Sequence, residues 1–307
     1  MTNLTIKQLR YFEALAMQRH FGRAAAVCSI SQPALSVQIK DLEIELGTAL
    51  FERGPRQVRL TSFGEDFALR VRDILRSVDE LGDIARAAQK NLIGRFRIGV
   101  IPTIAPYLLP TLISKLGQSH PGLDLHVRET LTPRLVQELL QGQIDSAIVA
   151  LPISEPAFTE TPLFSESFVL VRPDTDAQNP VPDTQALLNM RLLLLEEGHC
   201  FRDQALSFCT TGAALPRDGL DGSSLSTLVQ MVGAGIGVTM IPEMAMAVEA
   251  RSAPVSCAYF RDPQPGRTIG MIWRKTTPLA PQLLEIAEVV RQSGAMCNGQ
   301  RVKGGQT

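Results

Sequence analysis

The spacing of apolar residues changes near Gly94, and that break constrains the fold more than any single motif. Before it, apolar side chains recur three and four positions apart: Leu9, Phe12, Leu15 and Ala16, then Phe21, Ala24, Ala25 and Val27, then Leu35, Ile39, Leu42 and Leu46. Each set falls on one face of a helix. After it, strand-like runs at 96–101, 123–128, 146–151, 168–171, 192–195, 238–241 and 269–273 alternate with amphipathic stretches at 108–116, 133–141, 224–233 and 281–291. Such alternation predicts α/β layers with mostly parallel sheets. At 307 residues the chain is long enough for two or three separate cores.

The N-terminal helices carry a recognisable punctuation. Ser29-Ile30-Ser31 reads as a tight turn, Ser31 as an N-cap, Pro33 as a first-turn proline and Gly47 as a helix stop. Helix, turn and helix with a polar outer face (Gln32, Ser36, Gln38, Lys40) make a helix-turn-helix. A hairpin-like wing follows at 50–60, with a Gly54-Pro55 turn and Arg53, Arg56 and Arg59. The whole chain has a net charge of −1, which excludes a uniformly basic nucleic-acid binder. Residues 1–60 nevertheless hold eight basic and five acidic side chains, a local net of +3. Arginines on a wing suit phosphates, and polar side chains on the second helix suit base edges. A small helical domain with solvated charges would share the composition. From Ser62 to about Lys90 the sequence is helical again, with Phe67, Val71, Ile74, Val78, Leu81 and Ile84 apolar. Leu69 and Leu75 are expected on a further side, as in a helix that pairs with a second copy.

Five cysteines (Cys28, Cys200, Cys209, Cys257, Cys297) are an odd count at uneven spacing and no disulfide framework. No long apolar run follows Lys7 and Arg10, and 231–241 is too short and glycine-rich to span a bilayer. A cytoplasmic protein without membrane contact is expected. Cys200 and Cys209 stand nine positions apart, with His199 before the first. If that stretch is helical, their Cα atoms lie ~13.5 Å apart, whereas a disulfide needs roughly 4.4–6.8 Å. Bridging would then require unwinding. A thiol at a helix start is a candidate for oxidation, but free cysteines are more often small buried hydrophobes. The spacing of His199, Cys200 and Cys209 matches no common zinc pattern, and no metal or cofactor is expected. Gly233-Ala234-Gly235-Ile236-Gly237 follows a helix and precedes a strand, the reverse of a nucleotide-binding glycine loop.

Phe21-Gly22-Arg23-Ala24-Ala25-Ala26 and Ser31-Gln32-Pro33-Ala34-Leu35-Ser36 closely resemble the LysR-type transcriptional regulators. Gly198-His199-Cys200-Phe201-Arg202-Asp203-Gln204-Ala205 with Cys209 is similar to the thiol signature of the family's peroxide-sensing members. Gly99-Val100-Ile101-Pro102-Thr103, Pro106-Tyr107-Leu108-Leu109-Pro110 and Arg267-Thr268-Ile269-Gly270 support the likeness, which covers nearly the whole chain. It implies an all-α winged helix-turn-helix domain (1–61), a dimerising linker helix (62–91) and an α/β periplasmic-binding-protein-like regulatory domain (92–296). That domain would have two subdomains, about 92–164 plus 269–296 and about 165–268. Residues 297–307 are expected to be a disordered tail.

The resemblance also implies roles. Cys200 would be the peroxidatic thiol and Cys209 the resolving one, joined in an intramolecular disulfide. Thr103, Thr132, His199, Asp203 and Arg267 would line the peroxide pocket, with Arg267 and a protonated or donor-oriented His199 favouring the thiolate. The flanks of Thr103 match the pattern, whereas Leu131-Thr132-Pro133-Arg134 departs from it. Arg23, Ser31, Gln32, Pro33, Ser36, Gln38, Lys40, Arg53, Arg56 and Arg59 would meet double-stranded promoter DNA. The implied partners are hydrogen peroxide, a second copy forming a homodimer and then a homotetramer, RNA polymerase, and a glutathione or glutaredoxin reductant. Such a chain senses stoichiometrically and is not an enzyme. Two alternatives remain: a regulator answering a small metabolite between the subdomains, and a thiol peroxidase, which would leave residues 1–60 unexplained.

Overall fold

The computed structural model describes residues 4–52, 58–88, 93–209 and 221–298. They form two compact units, Met1–Ala85 and Arg86–Thr307.

In the first unit, α1 (Ile6–Gln18), α2 (Phe21–Val27) and α3 (Gln32–Leu46) enclose Leu9, Phe12, Leu15, Ala24, Ala25, Leu35, Ile39 and Leu42. The capping follows the sequence. Ser31 Oγ accepts from the Ala34 amide at 3.3 Å, and Gly47 closes α3 at φ 65°. Val27 departs from its expected apolar face and is 64% exposed, because α2 ends there with Ala24 and Ala25 as its buried residues. Cys28 packs against that core, and burial pushes its thiol pKa up. Strands β1 (Phe51–Glu52) and β2 (Arg59–Leu60) pair antiparallel as the base of the wing. Arg53 and Arg56 lie outside the described residues. Helix α4 runs Ser62–Ala87. Leu75, expected on an outward side, instead belongs to the core at 3% exposure, since it continues the Ala68 and Val71 stripe. Leu69, Ile74, Leu81 and Ile84 are exposed.

The second unit runs β3 (Gly94–Val100), α5 (Ala105–Ser119), β4 (Leu123–Glu129), α6 (Thr132–Leu140), β5 (Ser146–Leu151) and β6 (Phe158–Pro173), followed by α7 (Thr184–Asn189) and β7 (Leu194–Leu195). Then come α8 (Cys200–Cys209), β8 (Asp221–Gly222), α9 (Leu225–Gly233), β9 (Thr239–Pro242), α10 (Glu243–Glu249), β10 (Val255–Tyr259), β11 (Gly266–Arg274) and α11 (Ala280–Asn298). The main sheet has the order β10-β6-β11-β5-β3-β4, with β9 also on β6. It is mixed, not mostly parallel: β3 pairs parallel with β4 and β5, but β6, β9, β10 and β11 pair antiparallel. The cause is the long strand β6 and its return, β11, which run in opposite directions. Up to Ser167, β6 pairs with β11; from Phe168 it pairs with β9 and β10. One strand thus passes from one half of the unit to the other. Helix α11 carries on through Cys297 to Asn298, and the rest of the expected tail lies outside the described residues. The glycine run after α9 is a helix-to-strand turn, with Gly235 at φ 76°.

Candidate functional site

The site is built around the start of α8. Gly198 sits at φ 93°, a backbone conformation costly for any residue with a Cβ, and a Cβ there would stand 3.1 Å from Leu131 Cδ1. His199 follows, and the helix begins at Cys200. The Cys200 thiol is half-buried and packs against the unit's core. Phe201 is 2% exposed. Its ring stands edge-on to Phe168, centroids 4.8 Å apart, and the Arg267 guanidinium lies 5.4 Å from its centroid. At the other end, α8 terminates at Cys209. A continuous helix of this length holds the two Cα atoms ~13.5 Å apart, twice the reach of a disulfide.

Thr103 and His199 share a cavity of about 400 Å³, together with Tyr107, Ser224, Ser226 and Glu249. Burial holds the His199 imidazole below its usual pKa against the opposing pull of Glu196, so the ring is neutral at pH 7. Of the two forms expected of it, this direction disfavours the protonated one and suits the donor-oriented neutral one. Thr103 is 2% exposed. Its Oγ1 accepts from Arg267 Nη1 at 2.8 Å, and its carbonyl accepts from Nη2 at 3.2 Å. A guanidinium only donates, so the Thr103 hydroxyl proton remains to be donated elsewhere. Tyr107 Oη donates to Glu249 Oε1 at 2.7 Å, and Ser226 donates to the same oxygen at 3.0 Å. Burial, then Glu249, pushes the Tyr107 phenol far above its ordinary pKa, so it stays protonated.

Arg267 is fixed by a residue that sequence reasoning did not find. Glu166 Oε2 accepts from Arg267 Nε at 2.8 Å, and both side chains are wholly inaccessible to solvent. The two residues stand directly opposite each other on β6 and β11. A signal was present: Glu166 lies two positions before buried Phe168, hence on the inward face of the same strand. Arg267 and Glu166 also line a second cavity of about 730 Å³ with Gln204 of α8, whose Oε1 is buried without a partner among the described residues.

The remaining expected pocket residues fall differently. Thr132 opens α6 with its Oγ1 buried and unpartnered among the described residues, directly after the cavity-lining Thr130 and Leu131. Asp203 does not join the others: it is exposed and lines neither cavity, because the helical turn carries position 203 away from buried Phe201 and Ala205.

In the first unit, Arg23 on α2 and Ser31, Gln32, Pro33, Ser36 and Lys40 at α3 are exposed, while Gln38 is half-buried. Arg59 is exposed on β2. The second helix therefore presents its first two turns to solvent, as a groove-reading helix requires.

Residues 6–65 match the bacterial regulatory helix-turn-helix model of the lysR family, and 89–295 match the LysR substrate binding domain. The chain belongs to the LysR family of bacterial transcriptional regulators. Within that family its likeness runs to OxyR. A probable hydrogen peroxide-inducible genes activator of Streptomyces viridosporus is 42% identical over 294 residues, covering 94% of each chain. The DNA-binding transcriptional dual regulator OxyR of Escherichia coli K12 is 40% identical, over 94% of this chain and 95% of that one. The structure of an H2O2-bound cysteine-to-serine mutant of Corynebacterium glutamicum OxyR superposes with a TM-score of 0.67 at 34% identity, over 96% of this chain and 94% of that one.

Proposed function

We propose that this regulator senses hydrogen peroxide through Cys200 and Cys209 and answers by rearranging its grip on promoter DNA. The observation that carries the reading is the position of α8, which starts at one thiol, ends at the other, and begins beside a cavity shared by His199 and Thr103. In the first step the Cys200 thiolate attacks one peroxide oxygen. The O–O bond breaks, an S–OH group forms, and hydroxide leaves and takes up a proton. Cys209 then attacks the Cys200 sulfur, the S–S bond forms, and the hydroxyl departs as water. Neutral His199 and the free Thr103 proton are the donors available to the leaving oxygen; the orphaned Thr132 hydroxyl is a further one. Asp203, exposed on α8, is assigned to the outer edge of the site rather than to the donors just named.

Closing the bond requires α8 to unwind, because a helix keeps the two Cα atoms beyond the reach of a disulfide. Arg23, Ser31, Gln32, Pro33, Ser36, Gln38 and Lys40, with Arg53, Arg56 and Arg59 on the wing, are assigned to DNA. The exposed Leu69, Ile74, Leu81 and Ile84 of α4 are assigned to a homodimer that pairs into a tetramer, within which remodelled regulatory domains re-space the DNA-binding heads. RNA polymerase and a glutathione or glutaredoxin reductant complete the cycle in the cytoplasm, and no catalytic turnover is involved. Mass spectrometry of the reduced protein after low-micromolar peroxide should find a Cys200–Cys209 link; two free thiols at that dose would sink the reading.

One observation favours a second reading. A cavity of about 400 Å³ is far larger than a peroxide molecule and lies in the range of small-molecule sites, which suits a metabolite sensor. Cys209→Ser separates the two: loss of the peroxide response supports the first, full retention the second.

A further inference from the structure

We infer that Glu166 is a positioning residue for oxidation of Cys200, acting through Arg267; this rests on the peroxide reading above and adds a residue to it. Arg267 lies between two groups that matter to the thiol. Its Nη1 and Nη2 donate to the hydroxyl and carbonyl of Thr103, and its guanidinium lies 5.4 Å from the centroid of Phe201, the residue after Cys200. Its Nε, on the other edge of the guanidinium, is taken by Glu166 at 2.8 Å. The other Glu166 oxygen accepts from the Met244 amide at 3.4 Å, at the start of α10. The carboxylate is therefore held from two sides, on the strand that passes from one half of the unit to the other.

A guanidinium can rotate about its last torsions, and a rigid partner on Nε fixes which nitrogens face Thr103. With that partner in place, the Thr103 hydroxyl is obliged to accept from Arg267 and to direct its own proton elsewhere, toward the cavity it lines with His199. Without it, the guanidinium is buried with uncompensated charge and turns toward whatever acceptor it can reach, and Thr103 loses its fixed orientation. Two effects on Cys200 then part. Oriented hydrogen bonding to peroxide falls, while attack on an electrophile that needs no oriented donor is spared.

The test uses full-length reduced protein carrying Cys209→Ser, so that sulfenic acid accumulates and is trapped with dimedone. Two rate constants at Cys200 are measured with and without Glu166→Gln: oxidation by H2O2 and alkylation by iodoacetamide. The expected result is a fall of about ten-fold in the peroxide rate, at or below the low end for disturbing an oriented donor, with no fall in alkylation. Thr103→Val should slow oxidation as well, and the double variant should be no slower than Thr103→Val alone. A peroxide rate within three-fold of the parent, a parallel fall in both rates, or additive losses in the double variant would each overturn the role of Glu166. If Glu166→Gln does not fold, Glu166→Asp, which keeps the charge and shortens the reach, carries the same comparison. Failure of the parent protein to form any Cys200 sulfenic acid would instead remove the peroxide reading itself.

Discussion

Helices α3 and α8 both carry assigned chemistry from their first turn onward, but they are held in opposite ways. α3 is closed at both ends by its own neighbours, Ser31 at the start and Gly47 at φ 65° at the finish, and it buries a regular stripe of Leu35, Ile39 and Leu42. α8 depends on distant partners. Phe201 sits against Phe168 and Arg267, and Phe208 stacks edge-on to Phe260 at 5.1 Å. A helix secured by local capping presents a constant face to DNA. One secured by long-range contacts at its first turn can be released by a covalent event there. The difference suits the proposal that the reading head stays fixed while the sensor is remodelled.

The strongest way to break this comparison is to remove the long-range anchor. Phe201→Ala should cost the second unit about 3–5 kcal/mol, measured by urea unfolding, and should speed Cys200–Cys209 bond formation by weakening the folded α8. Leu35→Ala should cost the first unit about 2–5 kcal/mol and leave that rate unchanged. Equal effects on the thiol rate would erase the distinction. Ser31→Ala should cost about 1 kcal/mol, read as faster amide exchange confined to the start of α3. Arg59→Ala should weaken operator and random DNA alike and lower the salt slope of binding by about 1, whereas Ser36→Ala should act on the operator alone.

Further effects come from pH. Burial pushes the Cys257 thiol up to about 11 from an ordinary value of 9.0. Between those values the unfolded chain loses a proton that the folded chain keeps, so stability falls as pH rises through this window. Cys257→Ala should flatten that slope in denaturation measured from pH 8.5 upward. His199 runs the other way. Its folded pKa is lowered, so the unfolded chain binds the proton first and stability is lost as pH drops below the ordinary value of 6.5. His199→Gln should remove that component.

The same contrast explains what was legible in the sequence. The helix-turn-helix could be read because Ser31, Pro33, Leu35, Ile39 and Gly47 act on residues within a turn or two of themselves. For α8 the sequence offered only a plausible start at Cys200 and a conditional helix to Cys209. What could not be read was the wiring behind the thiol, since Thr103, Glu166, Phe201 and Arg267 come from four separate segments and meet only when β6 and β11 pair. The front half of β6 was missed because Thr159, Glu160, Thr161 and Pro162 break its apolar pattern, and β10 because its residues are only half-buried or exposed. β6, with its return β11, also makes the sheet mixed.

Amide hydrogen exchange across 199–209, before and after stoichiometric peroxide, tests the account most directly. It predicts protected α8 amides in the reduced protein and loss of that protection in step with the Cys200–Cys209 bond, with α3 unchanged. A bond that forms while α8 stays protected, or no bond at all, would contradict it.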